Sequence, residues 1–136
     1  MFNLAILAGR ILLAVIMVVG GYGKLMAAGP TQAYITASGL PVPSLAYAVS
    51  VFIELVVGLA FAAGLLTRAS ALVLAGWCLV TAAIFHSDFG DHAQQIQLLK
   101  NMAMAGGFLY AYAAGGGAFS LDAVLFRRPA ATFRTA

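Results

Sequence analysis

Residues 47–66 form the stretch YAVSVFIELVVGLAFAAGLL, in which Glu54 is the only charged residue. The run is long enough to cross the hydrocarbon core of a bilayer, which takes about 20 mostly apolar residues. Glu54 lies ten residues into the span that contains this run, about 15 Å at the rise of an α-helix and therefore near mid-bilayer. A carboxylate at that depth is costly, so it should face a bundle interior and either pair with a cation or take up a proton.

The composition of the whole chain supports a membrane protein. Of its 136 residues, 63% are hydrophobic and only 8% are charged, whereas about 25% are charged in ordinary soluble domains. A soluble domain this small could not bury so much apolar surface. The net charge of +3 is small and dispersed, so we expect no nucleic-acid partner. The single cysteine, Cys78, excludes an internal disulfide.

The apolar runs predict an all-α, polytopic membrane protein: a four-transmembrane-helix bundle in one domain, residues 1–126. The predicted spans are about 4–23, 44–66, 69–86 and 96–114. Residues 29–43 should hold a short interfacial helix, with Pro30 in its first turn and Gly39 at its C-terminal cap. A tight turn is expected at Thr67 and Arg68, and Asp91 with Gln94 resembles a capping box for the fourth helix.

The distribution of positive residues predicts the orientation. Arg68 and the three arginines of the tail fall on one side of the predicted bundle, with Arg10 nearest to that side. By the positive-inside rule we expect both termini in the cytoplasm. We expect the chain to lie in the plasma (inner) membrane. The tail, residues 127–136, is predicted to be a basic cytoplasmic segment, either contacting anionic headgroups or simply solvated.

Several polar side chains fall inside the predicted spans. Ser50, Glu54 and Gly58 share one stripe of the second helix at four-residue steps. A polar pocket around Glu54 is therefore predicted, because intramembrane ionisable residues are by default site candidates. The alternative is that Glu54 and a cation only hold the helices in register. The candidates for a ligand or proton-relay pocket are Glu54, Lys100, Asn101, Lys24, His86 and Arg10.

Acidic and histidine residues also cluster on one predicted loop. They are His86, Asp88, Asp91 and His92. Their spacing matches no dedicated metal motif, so we predict no metal site. We likewise expect no intrinsic cofactor.

The chain resembles the DoxX family of small four-span membrane proteins. The matching pieces are GRILLAVIMVVGGYGKL, ITASGLPVP, IELVVGLAFAAGLLTRASAL, IFH, QLLKNMAMAGGFL and GGGAFSLD, in that order along nearly the whole chain. The resemblance implies a membrane protein associated with respiratory or redox complexes, since the family is named after a subunit linked to quinol and sulfur-compound oxidation.

Three functions are compatible with these features. The first is a quinone-associated accessory subunit, whose redox partner protein carries flavin, haem or metal. The second is a proton-coupled transporter for a small solute, which would need a homo-oligomer to form a pathway. The third is a non-catalytic scaffold or assembly factor, in which the polar cluster serves folding alone.

Overall fold

The computed structural model of the chain describes residues 1–126, and its regular structure there is entirely helical. The predicted tail at 127–136 lies outside the described residues. The helices are α1 (Phe2–Met26), α2 (Ala28–Ala37), α3 (Pro43–Ala63), α4 (Thr67–Phe85), α5 (His92–Ala114) and α6 (Leu121–Leu125). The predicted all-α fold is confirmed.

Three of the described helices, α1, α3 and α4, are long and apolar enough to cross a membrane. Helix α5 is as long, with 23 residues, but its first half carries several amides and Lys100. The fourth span therefore stays a prediction. Large apolar side chains cover the outside of the bundle, among them Val19, Leu72 and Leu109, and such a surface suits lipid rather than water.

Helix α3 is interrupted by a π-helical segment at Phe52–Val57, between regular turns at Pro43–Val51 and Gly58–Ala63. Pro43 suits the first position of α3. A backbone N–H at that position would have no intrahelical acceptor, so a residue that lacks the N–H loses no hydrogen bond there. A π turn inside an α-helix is rare and often marks a functional site. Glu54 lies within this segment.

The connection between α3 and α4 lies at residues 64–66, slightly before the predicted turn at Thr67 and Arg68. Gly64 ends α3 in the left-handed conformation with φ 71°, where a side chain would also meet Ser120 at 2.5 Å. The carboxylate of Asp122 accepts hydrogen bonds from the backbone N–H groups of Leu66 (2.7 Å) and Thr67 (2.8 Å). Asp122 thereby caps α4, and the tight turn is set by a residue far away in sequence.

The environment of Asp122 changes its acidity. Burial by itself raises the pKa of this carboxyl group, but hydrogen bonds from Thr67 and Leu66 and the positive charge of Arg10 lower it. The net result is a pKa of Asp122 below its ordinary value. The carboxylate therefore stabilises this end of the molecule when it is ionised.

The bundle has two differently built ends. The Arg10 end comprises Arg10, the 64–66 turn and α6; the α2 end comprises α2, the start of α3 and the end of α4. Phe61 and Phe108 pack edge to face at 5.1 Å in the core toward the Arg10 end. At the α2 end, Tyr34 stacks on Phe85 at 5.6 Å and Ile35 is buried, so α2 covers the bundle.

Candidate functional site

A cavity of about 610 Å³ lies at the α2 end of the bundle, and residues of helices α1 to α5 line it. Most of its lining is apolar, with side chains such as Met17, Leu45 and Val80. The polar and charged residues that line it are Lys24, Thr31, Tyr34, Ser50, Glu54, Trp77, Thr81, His86 and Asn101. An apolar chamber with a few polar groups is the usual form of a small-molecule site.

Glu54 lies at the centre of the polar part of the cavity wall. Its side chain is buried, with the residue 7% exposed. One carboxylate oxygen, Oε2, is 2.5 Å from Nζ of Lys24, and the other, Oε1, accepts a hydrogen bond of 3.0 Å from Nε1 of Trp77. Both neighbours are donors, which suits an ionised carboxylate accepting at each oxygen. Of the two states left open by the sequence, the structure has Glu54 paired with a cation.

Glycines let α1 approach the π segment closely enough to form this pair. A Cβ on Gly21 would lie 2.8 Å from the backbone nitrogen of Leu55 and 3.0 Å from Cβ of Glu54. A Cβ on Gly20 would lie 3.0 Å from Oε2 of Glu54. The absence of side chains at these two positions therefore brings Lys24, one turn further along α1, within reach of the carboxylate.

Asn101 faces the cavity from α5. Its Nδ2 donates to the carbonyl of Gln97 at 2.9 Å, and its Oδ1 lies 3.4 Å from the hydroxyl of Thr81. The same hydroxyl donates to the carbonyl of Trp77 at 2.9 Å. These contacts fix the amide of Asn101 at the cavity wall next to the helix that carries Trp77.

His86 lies where α4 ends at the mouth of the cavity. Its Nδ1 is 2.7 Å from Oε1 of Gln94, so this amide group orients the imidazole ring. Gln94 is therefore used differently from the capping box expected at the start of α5. Asp91 does cap that helix, by accepting from the N–H of Ala93 at 2.9 Å.

Two of the six predicted site residues lie elsewhere. Arg10 is buried at the other end, where it donates to the carbonyls of Ala62 (3.1 Å), Gly116 (2.5 Å) and Phe119 (2.6 Å). It shares a face of α1 with Lys24, but fourteen residues separate them by about 21 Å along the axis. Lys100 is exposed and does not line the cavity, since it lies about 100° around α5 from Asn101.

The structure thus brings Glu54, Lys24, Asn101 and His86 around one cavity, and it adds a residue that the sequence reasoning missed. Trp77 is the only tryptophan of the chain and donates to Glu54 from the middle of α4. A signal was present, because tryptophan in membrane proteins usually lies at the interface and a buried indole N–H needs a partner. Its partner could not be identified without the helix rotations.

Within residues 1–126, no three His, Cys, Asp or Glu side chains lie close enough together to hold a metal ion. His86 and Asp91 instead make the hydrogen bonds described above.

Fold and site together define a polytopic helical membrane protein with a polar group buried beside an internal cavity. The chain belongs to the DoxX family, whose model it matches over residues 5–87. It is similar to Inner membrane protein YqjF of Escherichia coli (strain K12), with 36% identity over 126 residues that cover 93% of this chain and 95% of the relative. It is also similar to Inner membrane protein YphA of the same organism, with 33% identity over 122 residues, or 86% and 87% of the two chains.

No solved structure matches the chain. The two relatives are inner membrane proteins, which together with the apolar helices supports a membrane location. The cytoplasmic placement of the termini stays a prediction.

Proposed function

We propose that this chain binds a membrane quinone in the cavity beside Glu54 and serves as an accessory subunit of a membrane redox system. The observation that carries the proposal is a largely apolar cavity with one hydrogen-bonded ion pair in its wall, between the buried Glu54 and the partly buried Lys24. Its volume of about 610 Å³ is in the range of small-molecule sites, about 300–1,000 Å³. A ring-sized headgroup with the first part of an isoprenoid tail fits that description.

The charges of the site favour a neutral ligand. Lys24 and Glu54 cancel each other, so an anion would gain little net attraction from the pair. An ammonium group has three donors and Glu54 uses one of them. The remaining donors of Lys24 suit a quinone carbonyl, and the unused lone pairs of the Glu54 carboxylate suit the hydroxyl of a quinol. The same pair therefore matches both redox forms of the headgroup.

The role of the chain in this proposal is to bind and orient. A partner protein that carries flavin, haem or metal would exchange electrons with the bound quinone, because such cofactors do the redox chemistry. The redox partner and a homo-oligomer both stay predictions.

The experiment combines native mass spectrometry and lipid extraction on gently purified protein. We expect the wild-type chain to retain about one quinone per chain, and Glu54→Gln to fold in detergent but lose it. A wild-type protein that retains no quinone, and whose Trp77 fluorescence does not respond to added ubiquinone analogues, would refute the proposal.

A second candidate is proton-coupled transport of a small solute. The observation that favours it is the π segment of α3, an irregular turn that contains Glu54, because transporters place irregular helix segments at mid-membrane binding sites. Proteoliposomes with a pH-sensitive dye inside test it. Solute-dependent proton uptake by the wild-type chain, absent in Glu54→Gln, would favour transport over quinone binding.

The scaffold alternative treats the Lys24–Glu54 pair as a structural clip. It is tested by exchanging the two residues, Lys24→Glu with Glu54→Lys. A clip predicts that the exchange restores part of the stability lost in either single variant, since Trp77 Nε1–H then lacks its acceptor, and that no ligand is involved. A binding site predicts that stability returns in part while ligand retention does not, because the donor and acceptor then occupy each other's positions.

A further inference from the structure

The cavity is covered at its end and open at its side. At the end, α2 and the turn after it form the cover, with Tyr34 stacked on Phe85 and Ile35 buried. The hydrogen bond between His86 and Gln94 joins the end of α4 to the start of α5 beside this cover. Tyr34 and Val42 in this cover line the cavity and are themselves exposed, so the cover does not seal this end.

The side opening lies between the first half of α3 and α4. The second half of α3 and its π segment pack against α4, whereas the first half, Pro43–Val51, packs on α1, α2 and the π segment rather than on α4. A π segment is a usual place for a helix to bend. The two halves of α3 on either side of this segment have different neighbours.

The residues at this seam are apolar and partly exposed. Leu45 and Val49 on α3 and Val80 and Ile84 on α4 all line the cavity. Each of them is nevertheless 40% to 60% exposed on the outside of the bundle. A side chain that belongs both to the cavity wall and to the outer surface marks an opening. Because all four are hydrocarbon side chains, the opening faces the acyl chains of the bilayer.

We propose that the ligand reaches the cavity sideways from the bilayer, through the seam between Val49 and Val80, and that its tail remains in that seam. This inference rests on the proposed function and specifies the ligand class: a neutral carbonyl headgroup carrying a hydrocarbon tail, dissolved in the membrane. The headgroup contacts Lys24 and the tail leaves between α3 and α4. A water-soluble solute entering through the α2 end is the arrangement that it excludes.

The test uses Trp77 as a built-in fluorescent reporter, since it is the only tryptophan and lines the cavity. Wild-type protein in nanodiscs is titrated with ubiquinone-0, which has no tail, and with decylubiquinone, which has the same headgroup. The seam is narrowed by Val49→Phe with Val80→Phe. The matched control is Val56→Phe with Val73→Phe, the same change on the same two helices at exposed positions outside the cavity lining.

We expect the narrowed variant to lose affinity for decylubiquinone by about tenfold, because overfilling a close contact is costly. Its affinity for ubiquinone-0 should fall much less than its affinity for decylubiquinone, because only the tail passes through the seam, and the control variant should bind both like wild type. Val49→Leu with Val80→Leu should give an intermediate loss, which guards against a folding defect in the larger variant. Equal loss of both quinones, or no loss of either, would overturn the lateral route.

A second probe separates this inference from the proposed function. Phospholipids brominated in mid-chain quench a tryptophan that an acyl chain can approach. If no quinone binds but bromolipid quenching of Trp77 falls in Val49→Phe with Val80→Phe and not in the control, the quinone assignment fails and the side opening stands. If the quinones bind and bromolipid quenching is the same in all variants, the proposed function stands and the seam is refuted as a route.

Discussion

Gly21→Ala tests the contact that holds the site together. The added Cβ would lie 2.8 Å from the backbone nitrogen of Leu55, with Cβ of Glu54 at 3.0 Å. A backbone atom cannot rotate away as a flexible side chain can, so α1 and the π segment must separate by a few tenths of an ångström. Gly23 lies on the same helix, and a Cβ there would meet nothing within 4 Å.

The two glycines give a matched pair for working out the magnitude. Replacing a glycine inside a helix by alanine stabilises it by about 0.5–1 kcal/mol. Overfilling a close-packed contact costs about 1–3 kcal/mol. Gly23→Ala gains the first effect alone, whereas Gly21→Ala carries both. The difference in unfolding free energy between the two variants should therefore be about 1–3 kcal/mol, because the helix term cancels.

Denaturant unfolding in detergent micelles, followed by Trp77 fluorescence, measures this difference. We also expect Gly21→Ala to retain less quinone than Gly23→Ala, because separating α1 from α3 lengthens the pair between Lys24 and Glu54. Equal stability of the two variants would refute the argument that backbone proximity at Gly21 forms the site. Lower stability with unchanged quinone retention would show that the contact matters for the fold alone.

Three further predictions follow from the polar contacts. Lys24→Met should reduce quinone retention at least about tenfold, whereas Lys100→Met, the same change outside the cavity lining, should leave it unchanged; ligand titration of Trp77 fluorescence measures both. Trp77→Phe should weaken retention in native mass spectra, because Glu54 loses one of its two donors. Asp122→Asn should be less stable than wild type at neutral pH, because the pKa of Asp122 is lowered by folding and its contribution is present above the unfolded value of about 3.9. That gap should close as the pH falls through the lower folded pKa, and unfolding curves at several pH values measure it.

Much of the fold was predictable because it depends on long apolar runs. The helix starting at Pro43 and the short helix before Gly39 follow from hydropathy and from where proline and glycine interrupt it. Burial of Glu54 was predictable too, since a lone carboxylate in such a run has to face inward. These inferences use only depth and periodicity, which a sequence carries directly.

The partners of Glu54 were not predictable, because they depend on how the helices rotate and approach one another. Lys24, Lys100 and Arg10 were all plausible cations by depth along the chain. Lys24 is the partner of Glu54 because Gly20 and Gly21 let α1 approach the π segment of α3 closely. Neither these glycines nor the π segment changes the overall hydropathy pattern. Trp77 was missed for the same reason: its bond to Glu54 joins two helices whose relative rotation the sequence does not state.

The chain contains its own comparison between a structural charge and a candidate functional one. Arg10 is buried at the Arg10 end of the bundle. Its guanidinium donates to three backbone carbonyls, and these hydrogen bonds join α1 to α3 and to the segment before α6. That is how a buried charge holds helices together. Glu54 holds α1, α3 and α4 together as well, but it does so at the wall of a cavity of about 610 Å³, with a lysine whose other donors have no partner within residues 1–126. Arg10 also lines a cavity, but one of about 280 Å³, which is less than half the volume of the cavity of about 610 Å³ beside Glu54. The cavity next to Glu54 is the feature that a purely structural pair does not explain.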